Sequence, residues 1–167
     1  MKTSKLIMVS IASLVSLGVY TLETLIPPVL PIPGVKLGLA NAITLISMYI
    51  LGNKCAFGAL IIRILISSLL FGQPISMLFS ISGGLISFGV MYFLKRIMDE
   101  KNIWALSVFG AFGHNIGQII MAVIITREIA VMYYFLFLVI SSVVTGVFTG
   151  LTAQFTISRL KNIKLYK

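Results

Sequence analysis

Long apolar runs broken by short polar connections set the pattern of this chain of 167 residues. Runs such as "LIMVSIASLVSLGVY", "FGALIIRILISSLLFG" and "FLFLVISSVVTGVFTGL" approach the roughly 20 apolar residues that a bilayer-spanning helix needs. By that criterion the pattern predicts six helices, near residues 6–26, 37–51, 55–71, 75–94, 103–125 and 130–158. The expected fold is all-α, a single integral membrane bundle of six transmembrane helices. The second predicted span is short, and the sixth is longer than a bilayer requires, so its ends are expected to tilt or to emerge into water.

Composition agrees with this environment. Apolar residues make up 59% and charged ones 10%, too little polar surface to cover a water-soluble globule. A formal charge of +9 could suggest nucleic acid, but the basic residues fall in short clusters between apolar runs and form no stripe among other polar groups. Their distribution reads as topology. With the N-terminus inside, Lys2, Lys5, Lys54, Lys95, Arg96 and Lys101 are cytoplasmic, as are Arg159, Lys161, Lys164 and Lys167, whereas Lys36 and Arg127 face out. Both termini are thus expected in the cytoplasm. The longest polar connection, "KRIMDEKN" from Lys95 to Asn102, is too short to fold as a domain, so function must reside in the bundle or on its faces.

Candidate chemistry gathers around a few positions. Four prolines within "IPPVLPIPG", Ile26 to Gly34, preclude a regular helix and predict an ordered outer loop between the first two helices. Such backbone at membrane depth needs protein or water around it, so the loop is either a plain outer turn or the cover of a ligand cavity. Glu23 lies before it and Lys36 and Asn41 after it. Arg63 stands inside the third apolar run, where a lipid-facing position would cost about 2.5–3.5 kcal/mol. It is expected to face inward, pairing with Glu23 or helix carbonyls, or contacting an anionic ligand. In "GAFGHNIGQII", His114 and Gln118 share a helical face and Asn115 sits beside them, either as interhelical hydrogen bonds or as a polar lining. Ala12 and Ser16 are spaced small-xxx-small on the first helix, which suits close packing within the chain or docking of another membrane subunit.

Several chemistries find no support. Cys55 is the single cysteine, so there is no internal disulfide, and with one histidine and dispersed acids no metal site is expected. The serines lack a recognisable histidine and acid arrangement, and no GxxxxGK[ST] phosphate loop is present. No catalytic residue and no cofactor is expected.

The segments "PIPGVKLGLANAITLISMYILGNKCAFGALIIRILISSLLFG", "SISGGLISFGVMYFLKR" and "SVFGAFGHNIGQIIMAVII" resemble the bacterial family called heptaprenyl diphosphate synthase component I, also labelled the Gx transporter family. The likeness runs from about Leu22 to Leu151. That family is in turn similar to the S components of energy-coupling factor transporters, six-helix proteins of the bacterial cytoplasmic membrane that capture vitamins or related molecules. This resemblance implies a small-molecule substrate, a transmembrane coupling protein and ATPases as partners, and no nucleic acid. On such a fold the polar residues read above are expected to form the ligand site, with Glu23 and Lys36 at its mouth, Asn41 beneath the loop, and Arg63, His114, Asn115 and Gln118 deeper within. The Pro27 to Lys36 loop would cover it, and Ala12 and Ser16 would form the coupling face, with serine at the second position where the usual signature has alanine. The family's other label implies a different role, as a membrane component of heptaprenyl diphosphate or menaquinone biosynthesis. Prenyl diphosphate synthases hold magnesium and diphosphate through aspartate-rich motifs such as DDxxD, and this chain has one aspartate, Asp99, so that role would be non-catalytic.

Overall fold

A computed structural model describes residues 3–25, 39–71 and 74–162. Six α-helices run α1 (Thr3–Leu25), α2 (Asn41–Ile50), α3 (Asn53–Phe71), α4 (Pro74–Leu94), α5 (Ile103–Thr126) and α6 (Phe135–Asn162). Among the described residues the remaining helical elements are 3-10 turns, Glu100–Asn102 before α5 and Ile129–Tyr134 before α6. The proline-rich stretch and Lys36 lie outside the described residues.

Five of the helices are long and apolar enough to cross a membrane. The exception is α2, whose ten residues rise about 15 Å at 1.5 Å per residue, half of the roughly 30 Å hydrocarbon core. The second expected span, already short in the sequence, is thus too short among the described residues to cross by itself. The sixth predicted span also divides, because the 3-10 turn precedes the 28-residue α6. Helix ends follow local chemistry. Gly52, with φ of 86°, reverses the chain between α2 and α3 in a conformation open to glycine. Arg127 closes α5 in the left-handed region at φ 58°, its N–H donating to the Val123 carbonyl.

Helix α5 is packed between α4 and α6, and small residues set those contacts. A Cβ on Gly117 would lie 2.6 Å from the Ser82 carbonyl oxygen of α4, and one on Gly150 would lie 2.6 Å from Trp104 Cα of α5. Both pairs of backbones approach as glycine alone allows. Hydrogen bonds reinforce the seams: Ser82 Oγ donates to the Gly117 carbonyl at 2.6 Å, and Ser107 and Thr149 hydroxyls meet at 2.9 Å. An apolar core of Leu45, Met48, Met91, Leu106 and Ile157 ties α2, α4, α5 and α6 together. Leu14, Leu69, Phe93, Ile124, Val144 and Phe155 stay exposed on the outer surface, as hydrocarbon contact permits.

The basic connections converge on one end of the bundle. Lys95 Nζ donates to the Met48 carbonyl at 2.5 Å in the last turn of α2 and lies 3.4 Å from Asn53 Oδ1. At the same end Lys161 reaches Glu100 at 2.6 Å, and Lys5 lines a cleft with Met8, Ile50, Leu51 and Cys55. Hence the start of α1, the α2–α3 and α4–α5 turns and the end of α6 are together, as an up-and-down bundle requires.

Candidate functional site

Away from that basic end, α1, α3, α4 and α5 enclose a set of polar side chains. Tyr20 and Glu23 are three residues apart on α1 and so share a face; both are buried. Arg63 comes from α3, is 3% exposed, and lies with its guanidinium carbon 5.6 Å from the centre of the Tyr20 ring. The Tyr20 hydroxyl and Ser76 Oγ on α4 are 3.2 Å apart, and Phe71 flanks the same ring at 6.0 Å. Glu23 Oε2 accepts the Leu39 N–H at 3.1 Å, which anchors the chain entering α2 to the end of α1.

Electrostatics join these residues. The Glu23 carboxylate acts on Arg63 as its counter-charge, and Arg63 is in turn close enough to His114 to act on the imidazole. A buried cation without such compensation is strongly destabilising. Arg63 Nε and Nη2, however, have no hydrogen-bond partner among the described residues. Buried donors left in that state each cost about 1–3 kcal/mol. Asn41 Nδ2, at the first position of α2, is buried in the same condition.

The polar residues of α5 divide. His114 is buried against α4, where it hydrogen-bonds to the Gly83 backbone and fills the space that a Cβ there would need. Gln118, one turn on, is buried as well. Asn115 turns to α6 instead, its Nδ2 donating to the Leu138 carbonyl at 2.9 Å and Ser142 Oγ at 2.8 Å. Glu23, Arg63 and His114 are thus brought together across three helices, whereas the Asn115 amide nitrogen is taken up in holding α5 to α6. Tyr20 and Ser76 complete the group without having been singled out in the sequence. The i, i+3 spacing of Tyr20 and Glu23 was the available signal for the first; nothing local marks Ser76.

Also on α1, Ser16 is buried and its Oγ donates to the Ala40 carbonyl at 3.4 Å, while Ala12 is half-buried. Ser16 therefore serves packing within the chain. Among the described residues no three His, Cys, Asp or Glu side chains gather as a metal site.

Comparison with the curated proteins and with the solved structures yields no match. The family model of heptaprenyl diphosphate synthase component I matches residues 12–156, which include every residue of the cluster just described, and the chain belongs to that family.

Proposed function

We propose that this protein binds a small molecule inside the membrane as the substrate-binding subunit of an uptake transporter, of the S-component type. The observation that carries this reading is the buried cluster of Glu23, Arg63 and His114, built from three helices and holding the buried acid, guanidinium and imidazole found among the described residues. Ionisable groups at such depth are costly and generally mark a ligand or ion path. Lys36 and the proline-rich loop would stand over this cluster as its cover, and Gln118 and Asn41 would add hydrogen bonds. Energy for transport would come from a coupling protein and ATPases, as the chain has no phosphate loop of its own. The protein would sit in the bacterial cytoplasmic membrane with both termini inside, since the basic end of the bundle is then cytoplasmic.

A second reading has comparable support from the family's description: a non-catalytic membrane component of heptaprenyl diphosphate synthesis, holding a soluble enzyme at the basic end. Catalysis by this chain itself is disfavoured because its one aspartate, Asp99, is exposed in the α4–α5 connection. Purification from the native membrane separates the two readings. A retained small molecule, identified by mass spectrometry and lost on Arg63→Ala and His114→Ala substitution, supports the transport role. Co-purification with a prenyltransferase and no retained compound supports the accessory role.

A further inference from the structure

Arg63 narrows the chemistry of the molecule bound. Its two atoms without partners among the described residues, Nε and Nη2, form a particular pair. In a guanidinium these N–H groups lie side by side along the edge turned away from Cδ and point in nearly parallel directions, matching two oxygens of one carboxylate or phosphoryl group. The Tyr20 ring stands near the guanidinium, 5.6 Å from Cζ to its centre, and helps to fix its orientation. Glu23 provides counter-charge without hydrogen-bonding to Nε or Nη2. Asn41 Nδ2 adds a buried neutral donor close in sequence to Leu39, whose N–H is held by Glu23.

We propose that the Nε and Nη2 edge of Arg63 is the seat of an acidic group on the substrate, a carboxylate or phosphoryl group gripped through two oxygens. This rests on the small-molecule-binding reading and goes further by stating the substrate's charge and how it is held. Lysine, a point charge without the planar fork, should replace Arg63 poorly even though the bundle keeps its buried cation.

The test uses the full chain in detergent, with matched probes that differ in the acidic group alone: nicotinate beside nicotinamide, and farnesyl phosphate beside farnesol. Compounds retained from the native membrane are identified in parallel. The expected result is an acid-bearing retained compound, or a thermal shift with the acidic member of one pair and not its neutral partner. The carboxylate and phosphate pairs distinguish the two kinds of acid. Arg63→Lys should weaken acid binding by about tenfold or more, the scale of one charge-assisted hydrogen bond. The ligand-free melting temperature of that variant, compared with wild type, shows whether the bundle is intact, and the double substitution Glu23→Gln with Arg63→Gln supplies a charge-balanced variant if it is not. Equal binding of acidic and neutral partners, a neutral retained compound, or undiminished acid binding in both variants would overturn the inference and leave the binding-protein reading standing. Retention of nothing, with no shift from any probe, would overturn both.

Discussion

Gly83 on α4 makes room for the His114 imidazole on α5: a Cβ at Gly83 would lie 2.7 Å from both Nδ1 and Cε1 of His114 and 3.0 Å from its backbone oxygen. The position of a buried polar group in the cluster therefore depends on a missing methyl group on a neighbouring helix. Gly83→Ala should displace the imidazole, weaken binding of whatever the native protein retains, and cost about 1–3 kcal/mol of stability through overpacking. Gly89→Ala on the same helix is the control, because a Cβ there meets nothing within 4 Å. It should leave melting temperature and binding unchanged or slightly improved, since alanine is the better helix former. Equal behaviour of the two variants in a thermal unfolding assay would show that the close approach of α4 and α5 is not what positions His114.

Glu23 and Arg63 are coupled across α1 and α3. Glu23→Gln alone leaves the Arg63 cation without this counter-charge and should lower stability by about 3–5 kcal/mol, whereas Arg63→Gln should cost less, because Glu23 keeps the Leu39 N–H. The double variant should be more stable than the sum of the single losses implies, by about 1 kcal/mol or more. Unfolding of all four proteins in a mixed-detergent titration measures that difference directly. Strict additivity would mean that the two charges are compensated separately.

Lys95 lies just beyond α4, with its ammonium on the Met48 carbonyl and 4.4 Å from the centre of the Tyr49 ring. Burial lowers its pKa from the usual 10.5, a shift opposed by the Glu100 carboxylate and reinforced by Lys161. The folded protein then releases this proton at lower pH than the unfolded chain does. Through the window between the depressed folded value and 10.5, the unfolded state binds more protons and stability from this group rises with pH. The melting temperature of wild type relative to Lys95→Met should increase as pH is raised toward 10.5. A difference that stays flat, or falls, across that range would contradict the burial of the ammonium.

Orientation is open to direct labelling. In a Cys55→Ser background, Arg127→Cys should react with a membrane-impermeant maleimide on intact cells, and Lys101→Cys should react only after the cells are opened. Both positions are exposed. The reverse pattern would invert the topology and put the basic end of the bundle outside.

Much of this protein was legible in one dimension. Hydrocarbon imposes a local demand, a run of apolar residues of sufficient length, so the apolar runs identified the membrane class and the helices found among the described residues, and the basic residues marked the connections that group at one end. It also marked Arg63 as an inward-facing residue, because a cation in an apolar run has no acceptable lipid-facing position. Which polar groups meet depends on how the helices assemble. His114 and Asn115 are neighbours in the chain, yet consecutive helical residues are turned about 100° from each other. With α5 held between α4 and α6, one goes to Gly83 and the other to Leu138 and Ser142. Tyr20 and Ser76 are 56 positions apart and join the cluster because α1 and α4 both pack against α3, where the long Tyr20 side chain reaches across. Ser16, whose spacing suited close approach by a helix of this chain or of another subunit, is buried here with its Oγ on the Ala40 carbonyl. The spacing of small residues permits such an approach, but the identity of the neighbour is a property of how the helices assemble.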